Sequence, residues 1–360
     1  MEASLRAIDA DPGLELSILV TGMHLDPVYG STVDEIRATG LAIAGEAPVS
    51  LTPATGATMA RGIGTMLGGF VDHLERERPD LVLLLGDRGE MLAGALAAIH
   101  LNIPLAHIHG GERSGTVDEP IRHAISKLSH LHLTTTAGAR ERLIRMGERE
   151  DRVFVCGAPG LDGLAEAPRL QRGEICAHYG FDPGRPLALM VMHPVLQDAA
   201  RAGDDARLLT ERLLAARLQV VAVMPNSDAG SDAIRDVIAD VRGRSDLAVE
   251  THLSRDRFVA CMAAADIFAG NSSSGIIEAA TFGTPVINVG SRQRLRERNA
   301  NVTDVDCVAA AIDSAVSLAL ANGRFPAENI YGDGRAAERI VSVLRDTPLD
   351  ADLMRKINVY

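Results

Sequence analysis

The sequence predicts an α/β protein built from two doubly wound domains that face each other across a cleft. Short apolar runs alternate with stretches of helical length along most of the chain, and these runs are almost continuously apolar. Such runs are typical of parallel strands that helices cover on both faces. The chain has 360 residues, which is too long for one core of ordinary size, so we expect two domains.

The first half of the chain predicts six strands and the helices between them. The strands are expected at 16–22, 49–53, 81–85, 104–108, 130–136 and 153–160. The helices are expected over the first dozen residues, around 58–76, at 90–101, at 120–128 and after 136. Segment 161–186 is richer in polar and turn residues, which marks it as the crossing between the domains.

The pattern restarts in the second half of the chain. Its strands are expected at 187–194, 219–226, 247–253, 266–275 and 285–290. A helix is expected at 335–346, after which the tail returns to the first domain. We therefore place the N-terminal domain at 1–165 together with 347–360, and the C-terminal domain at 166–346. In such folds ligands bind beyond the carboxyl ends of the strands.

Composition narrows the class of protein. The net charge of −12 argues against a nucleic-acid surface. An anionic ligand would need a local arginine cluster, and the sequence has one at Arg292, Arg294, Arg296 and Arg298. The four cysteines are scattered and are typical of core residues. No apolar run approaches the roughly 18 residues of a membrane span, and no leader pattern opens the chain, so we expect a cytoplasmic protein without membrane contact.

The densest group of ionisable residues lies between the strand at 104–108 and the helix at 120–128. Its members are His107, His109, Glu112, Arg113, Asp118, Glu119, Arg122 and His123. Like charges this close raise each other's pKa and destabilise a loop, which favours a functional site. The alternative is a solvated turn before a helix whose first turn favours acidic residues. That alternative accounts for the two carboxylates of the helix and leaves the two histidines of the strand unexplained.

A serine-rich turn between a strand and a helix is the second candidate. Its residues are Asn271, Ser272, Ser273, Ser274 and Gly275, of which the glycine is expected to leave the backbone accessible. Free amides and hydroxyls at a helix N-terminus form a phosphate site. Glu278, one turn further, could hold ribose hydroxyls. The alternative is an ordinary serine N-cap, but Arg292, at the end of the next strand, brings positive charge suited to a diphosphate.

Polar residues also follow three other predicted strands. They are Asp87 and Arg88, His193, and Asn226 with Asp228. A lone histidine is more often structural than catalytic, and the turn at 225–230 is equally well a plain turn or a contact to a nucleotide. The motifs GxxxxGK[ST], GxGxxG after a strand and GxSxG are missing from the sequence. Their absence argues against a P-loop NTPase, a dinucleotide dehydrogenase and an α/β-hydrolase.

Together these motifs resemble the UDP-N-acetylglucosamine 2-epimerase family. They are GDR at 86–88, HIHGGERSGTVDEPIRHAISKLSH at 107–130, MHP at 192–194, PNSDAG at 225–230, GNSSSGIIEAATFGTPVINVGSRQ at 270–293 and NANV at 299–302. The resemblance extends from about Glu15 to the C-terminal helix. It is closer to the hydrolysing branch, which supplies N-acetylmannosamine-type sugars for sialic and legionaminic acid synthesis.

The resemblance implies two Rossmann-like domains of the GT-B type with a UDP-sugar in the cleft. It also implies no metal or other cofactor, no nucleic-acid partner, and a homodimer or a dimer of dimers. The implied reaction inverts C2 of the sugar with loss of UDP, through elimination to a glycal and addition of water.

The resemblance also implies roles for particular residues. By similarity, the diphosphate ligands are Arg88, Ser272, Ser273 and Arg292, and the ribose ligand is Glu278. Polar positions of the reaction centre are matched by Asp87, Asp118, Glu119 and His193. We expect Asp118 with Glu119 to transfer protons and Asp87 to orient the sugar, and which carboxylate is base and which is acid stays open. The expected substrate-binding set is completed by His107, Asn226, Asp228, Asn271, Ser274 and Gly275.

Two features depart from the family pattern. Position 109 is Glu or His in the family, and the catalytic role of that Glu passes here either to Glu112 or to His109 itself as the acid. The family also opens with a central strand ending in Gly-Thr/Ser-Arg, and we expect this first strand of the N-terminal domain to be missing here. Either the start is set too far downstream, which we favour, or the domain is incomplete. The alternatives to a hydrolysing 2-epimerase are a non-hydrolysing one, a GT-B glycosyltransferase and a non-catalytic nucleotide-sugar binder.

Overall fold

A computed structural model of the chain describes residues 1–167 and 169–360. The first half contains α1 (Glu2–Asp9), β1 (Ile18–Thr21), α2 (Val33–Ala38), β2 (Ile43–Ala47), α3 (Gly56–Glu77), β3 (Val82–Leu85), α4 (Gly89–His100), β4 (Leu105–Ile108), α5 (Asp118–Leu128), β5 (Leu131–Thr134), α6 (Ala137–Arg145) and β6 (Val153–Val155). The second half contains α7 (Arg172–Tyr179), β7 (Leu187–Val191), α8 (Ala202–Ala215), β8 (Gln219–Val223), α9 (Ser231–Asp240), β9 (Leu247–Glu250), α10 (Arg255–Ala264), β10 (Ile267–Gly270), α11 (Ser273–Ile277), β11 (Val286–Val289), β12 (Val302–Val305), α12 (Ala309–Asn322), α13 (Ala336–Asp346) and α14 (Ala351–Met354). Among these helices none is long and apolar enough to cross a membrane.

The strand pairs of the described residues are parallel and form three sheets. The first half has the pair β1-β2 and the four-stranded sheet β3-β4-β5-β6, and the second half has the six-stranded sheet β12-β11-β10-β7-β8-β9. Parallel strands place their carboxyl ends at one edge of a sheet. The edges of the two halves face each other, because Arg88 after β3 lies 3.3 Å from Asp228 after β8. The predicted α/β class with a cleft between two sheets is confirmed.

Helices cover both faces of the six-stranded sheet, as a doubly wound domain requires. Leu209 of α8 and Ile312 of α12 belong to the core on one face. Ile175 of α7 and Cys261 of α10 belong to the core on the other. These buried apolar layers hold the strand ends in fixed positions, so that the polar loops between strands and helices can form a site.

The C-terminal helices return to the four-stranded sheet. Ala336 and Ile340 of α13 and Leu353 of α14 share a core with Ile108 of β4 and Leu133 of β5. The chain therefore crosses between the two sheets twice. The division into domains at residues 165 and 346 stays a prediction.

Two strand predictions are wrong. No strand is assigned at 49–53; the second strand is β2, which ends at Ala47 because Pro48 has no N–H to donate to a neighbouring strand. The edge strand β12 was not predicted, since its sequence carries two exposed polar residues, Thr303 and Asp304, and offers no apolar run.

The two sheets of the first half are separate in the described part of the chain, where β1 does not pair with β3. Helix α4 lies over both of them. Its residue Ala93 shares a cluster with Leu19 of β1, and its residue Ala95 shares one with Leu84 of β3. The resemblance leads us to expect that a central strand is missing here, and none of the strands in the described residues joins the two sheets.

Candidate active site

Asp87 follows β3 and is held by a buried arginine of α5. The guanidinium of Arg122 is fully enclosed. Its Nη2 pairs with Asp87 Oδ2, and its Nη1 donates to the carbonyl oxygen of Glu112 at 3.0 Å. Burial by itself raises the pKa of Asp87, but neighbouring arginines, Arg122 above all, outweigh burial and hold that pKa below its usual range. Asp87 is therefore a fixed, ionised carboxylate that can orient a sugar hydroxyl.

His109 and Glu112, which the sequence left as competitors for one role, are bonded to each other. His109 has a φ of +66°, a strained conformation for a residue other than glycine. Its Nδ1 lies 2.6 Å from Glu112 Oε1, and Thr135 Oγ1 donates to the same oxygen at 2.6 Å. An ionised carboxylate can only accept, so the His109 Nδ1 carries the hydrogen and its Nε2 keeps the lone pair.

The charge state of His109 limits what it can do. Burial lowers the pKa of His109 to about 3, and the charges of Arg296 and Arg122 act in the same direction. The imidazole is therefore neutral at pH 7. His109 can accept a proton at Nε2, whereas the acid role left open for it would need an imidazolium.

Asp118 and Glu119 both open α5 but contact different partners. Asp118 Oδ2 lies 3.4 Å from Arg292 Nη2, across the cleft. Burial raises the pKa of Asp118, and the charge of Asp87 raises it further, so this carboxyl holds its proton closer to neutral pH than an ordinary aspartate. Glu119 Oε2 instead accepts from the backbone N–H of Ser114 at 2.7 Å. This bond ties the loop to the helix and makes Glu119 a weaker candidate for proton transfer than Asp118; its role in the reaction stays a prediction.

His193 is held on the opposite side of the cleft, after β7. The amide of Asn271 accepts from the His193 N–H at 2.7 Å and donates to its carbonyl at 2.9 Å. The backbone N–H of Asn226 donates to His193 Nδ1 at 3.3 Å, which leaves the ring hydrogen on Nε2. Burial, followed by the charge of Arg292, lowers the pKa of His193 to about 3. His193 is thus a neutral N–H donor, and Asn271 positions it.

Arg88 connects the two halves of the site. Its Nη2 lies 3.3 Å from Asp228 Oδ1 and 3.4 Å from Ser227 Oγ, and its Nε donates to Glu90 Oε1 at 3.3 Å. Asp228 also accepts from the side-chain amide of Asn226 at 2.6 Å. Arg88 and Asp228 therefore meet in the cleft as the sequence predicted. Glu90 is a partner that the sequence did not single out.

The serine-rich turn offers hydroxyls beside a cation. Ser272 caps α11, and its Oγ lies 2.8 Å from Ser274 Oγ, while Ser273 is the first residue of the helix. Arg292 Nη1 donates to the carbonyl of Asn271 at 3.1 Å, which places the guanidinium next to this turn. The arrangement suits an anionic group.

Two predicted ligands lie behind the site rather than in it. His107 is fully buried, with Nε2 at 2.7 Å from the Gly86 carbonyl and Nδ1 at 3.1 Å from Ser126 Oγ. Gly275 is buried against β10, where a Cβ would lie 2.9 Å from the Phe268 ring. Both expectations are corrected: His107 supports the turn after β3, and Gly275 lets α11 pack closely on its strand.

Glu278, the predicted ribose ligand, is mostly buried and paired with Arg255, whose Nη1 lies 2.6 Å from Glu278 Oε2. A ribose would have to share this carboxylate with the arginine. Within residues 1–167 and 169–360, no cluster of three or more His, Cys, Asp or Glu side chains is arranged to hold a metal ion.

Sequence analysis assigned no catalytic or substrate-binding role to two residues that hold Glu112 in place. Thr135 and Arg296 bind Glu112 from two sides. The signal for Arg296 was the arginine cluster at 292–298, which predicted an anionic partner. It could not show which guanidinium points to a ligand and which to a carboxylate of the other domain.

Charged groups from both sheets meet at the carboxyl ends of the strands. The cleft contains two arginines, a carboxyl group of raised pKa and two neutral imidazoles. This combination defines the class of protein as an α/β enzyme that binds an anionic ligand and transfers protons.

Comparison with known proteins identifies the family. The model of the UDP-N-acetylglucosamine 2-epimerase family matches residues 6–345, and the chain belongs to this family. A Legionella pneumophila relative, UDP-N,N'-diacetylbacillosamine 2-epimerase (hydrolyzing), is 48% identical over 100% of this chain and 96% of its own. A Neisseria meningitidis relative, UDP-N-acetylglucosamine 2-epimerase, is 32% identical over 95% of this chain and 90% of its own.

Solved structures share the fold. The N. meningitidis UDP-GlcNAc 2-epimerase bound to UDP-GlcNAc matches with a TM-score of 0.78 at 19% identity, over 96% of this chain and 97% of that one. The S. aureus MnaA structure with UDP matches with a TM-score of 0.79 at 19% identity, over 100% of this chain and 95% of that one. These likenesses confirm the predicted fold of two Rossmann-like domains.

Proposed function

We propose that this enzyme is a hydrolysing 2-epimerase, which converts a UDP-N-acetylamino sugar and water to UDP and the free sugar inverted at C2. The observation that carries the proposal is the presence in one cleft of a carboxyl group of raised pKa, Asp118, and of an imidazole, His109, whose Nε2 keeps its lone pair. Inversion at C2 needs one group that removes a proton and another that returns one. The likeness to the hydrolysing Legionella enzyme over the whole chain supports the hydrolytic branch.

The reaction has two steps. A base first removes the C2 proton while the C1–O bond breaks; the electron pair of C1–O leaves with UDP, and the pair of C2–H becomes the double bond of a 2-acetamidoglycal. The hydroxyl of water then adds to C1, and the acid delivers a proton to C2 from the opposite face. The remaining proton of the water replaces the one that the acid has given, and the base releases its proton to solvent. One water is consumed, and UDP and the free 2-epimer are released.

The geometry supports a role for each catalytic candidate. His109 Nε2, which has the lone pair, takes the C2 proton, and Asp118 supplies the returning proton. Asp87, held ionised by Arg122, orients a sugar hydroxyl. His193 Nε2–H donates to the departing phosphate, where negative charge develops.

The cations of the cleft bind the diphosphate. Arg88 and Arg292 approach from opposite domains, and preorganised cations of this kind stabilise a departing phosphate. Hydroxyls of the serine turn add hydrogen bonds, and Glu278 holds the ribose beside Arg255. Asn226 and Asp228 border the same site.

The sugar is a 2-acetamido sugar, and we propose a 2,4-diacetamido-2,4,6-trideoxy sugar as the preferred substrate. The name and the 48% identity of the Legionella relative support this choice. UDP-GlcNAc is the second candidate, and the N. meningitidis relative supports it. We further propose, on the family likeness, a homodimer or dimer of dimers that works in the cytoplasm and provides ManNAc-type precursors of sialic or legionaminic acid. Light scattering of the purified protein tests the assembly.

Proton NMR tests the reaction. The protein is incubated in D2O with each UDP-sugar, and UDP, the sugar C1 and the sugar C2 are followed. The proposal predicts equal amounts of UDP and free 2-epimer, with deuterium at C2 and a higher kcat/KM for the diacetamido sugar. A UDP-linked 2-epimer would show the non-hydrolysing reaction instead. Lack of turnover of both sugars would contradict the proposal.

A further inference from the structure

Arg296 belongs to the C-terminal half of the chain but binds carboxylates of the N-terminal half. It lies in the loop after β11, and its side chain is only 7% exposed. Its Nη1 pairs with Glu112 Oε2, and its Nη2 lies 3.8 Å from Asp87 Oδ2. One guanidinium therefore joins two carboxylates of the candidate site across the cleft.

The loop holds Arg296 firmly from its own side. Its Nε donates to Gln293 Oε1 at 2.5 Å, and Arg298 donates to the Arg296 carbonyl at 2.7 Å. Arg298 is in turn fixed by Asp304 of β12, with contacts of 3.0 Å to each carboxylate oxygen. The guanidinium thus has a position set by the six-stranded sheet.

Arg296 affects the charge state of Glu112 and, through it, the tautomer of His109. The two oxygens of Glu112 are divided, since Oε1 accepts from His109 and Thr135 and Oε2 faces Arg296. A buried carboxylate stays ionised only with a cation beside it. An ionised Glu112 keeps the ring hydrogen of His109 on Nδ1, and Nε2 has no hydrogen-bond partner among the described residues.

We propose that Arg296 is a positioning residue that acts across the domain boundary: it fixes Glu112 and Asp87, and through Glu112 it sets the tautomer that presents the His109 Nε2 lone pair to the substrate. The part of this inference that concerns catalysis rests on the proposed function. Its consequence is that the site is complete only where the loop of the C-terminal domain meets the N-terminal domain. Glu112 is then a positioning residue as well, since Arg296, Thr135 and His109 hold its two oxygens in place.

The same loop provides a matched control. Arg294 is two residues earlier and 45% exposed, and it pairs with Asp306 of its own domain at 2.6 Å. Arg294→Gln removes one positive charge from the loop, as Arg296→Gln does, and leaves Glu112 and Asp87 with their partners.

Steady-state kinetics form the first half of the test. Arg296→Gln is expected to lower kcat about 100-fold, the size of effect that misplaced catalytic groups produce, with KM nearly unchanged. Arg296→Lys keeps the charge but cannot join two carboxylates at once, so its kcat should fall between those of Arg296→Gln and the wild type. Arg294→Gln should match the wild type. Wild-type kcat in Arg296→Gln, or an equal loss in Arg294→Gln, would overturn the proposal.

Nitrogen NMR of histidine forms the second half and does not depend on turnover. With 15N-labelled histidine, the His109 ring should show its hydrogen on Nδ1 in the wild type and in Arg294→Gln, and a mixture of tautomers in Arg296→Gln. An unchanged tautomer in Arg296→Gln would overturn the proposal even if the wild type turned over no UDP-sugar, so the two proposals fail separately. Should Arg296→Gln not fold, Arg296→Lys provides the test. Wild-type kcat in Arg296→Lys would overturn the proposal, because it would show that a guanidinium joining two carboxylates is not needed.

Discussion

Two buried glutamates, Glu112 and Glu148, have similar bonding partners but lie in different surroundings. Glu112 accepts from His109 at 2.6 Å and pairs with Arg296. Glu148 accepts from His132 at 2.9 Å and pairs with a lysine, Lys127, at 2.7 Å. Both clusters flank the four-stranded sheet, and each combines a carboxylate, an imidazole and a cation. The types of residue in the two clusters therefore do not distinguish them.

Their surroundings distinguish them. His132 is fully buried within β5, and Glu148 is also paired with Lys356 of the C-terminal tail. Burial opposes ionisation, but His132 and the two lysines outweigh it and lower the pKa of Glu148 to about 2. His109, by contrast, has a strained backbone and is 13% exposed, and its cation comes from the other domain. On this difference we base our proposal that the Glu112 cluster serves the reaction, whereas the Glu148 cluster is an anchor, which stabilises the fold and attaches the C-terminal tail.

The largest expected effect is the loss of activity on mutation of Asp118, the proposed acid of the cleft. Asp118→Asn keeps the size of the side chain and removes the ionisable proton, so kcat should fall by about 10²- to 10⁴-fold. UDP affinity, measured by calorimetry, should stay close to that of the wild type, because Arg88 and Arg292 remain. Glu119→Gln is the neighbouring control and should lose far less activity, since Glu119 bonds a backbone N–H. A loss of UDP binding in Asp118→Asn would contradict the assignment.

Mutation of the anchor cluster, which consists of Glu148, His132, Lys127 and Lys356, should lower the stability of the protein rather than its activity. Glu148→Gln leaves two lysines facing a buried site without their carboxylate, a loss that costs about 3–5 kcal/mol in buried pairs. The free energy of unfolding, measured by urea denaturation, should fall by that order. A variant as stable as the wild type would show that the tail contact contributes little.

A change of pH should alter stability gradually and without any mutation. Histidines of an unfolded chain titrate near pH 6.5, whereas the folded protein lowers the pKa of His107, His109 and His193 to about 3. The unfolded state thus binds more protons below pH 6.5, so the stability these groups contribute is complete above pH 6.5 and is lost progressively as the pH falls towards 3. Each histidine should cost about 1.4 kcal/mol for each pH unit below 6.5. A constant melting temperature between pH 7.5 and pH 5 would contradict these shifts.

The comparison also shows what the sequence could predict. Continuous apolar runs were enough to locate the parallel strands, and Asp87, Arg88, Asp118 and His193 were found because parallel strands bring their carboxyl ends to one edge. Pattern alone does not say which way a side chain turns. For this reason the sequence did not separate Asp118, which faces Arg292, from Glu119, which binds a backbone N–H.

The long-range pairs lay beyond prediction from local pattern. Arg296 and Glu112 are far apart in the chain, and their pairing depends on how the two sheets face each other. The left-handed conformation of His109 has no sequence signal comparable to a glycine. The catalytic candidates were therefore visible in the sequence, whereas their pairing with the groups that hold them was not.

The most direct test is the kcat of Glu112→Gln beside that of Glu148→Gln, each corrected for the fraction of folded protein. In Glu112→Gln the amide oxygen pairs with Arg296, so the amide N–H donates to His109 Nδ1. The ring hydrogen of His109 then moves to Nε2. We predict a kcat about 100-fold below the wild type for Glu112→Gln, and the wild-type kcat for Glu148→Gln. Equal losses in the two variants, or full activity in Glu112→Gln, would contradict the division between a reactive cluster and an anchor.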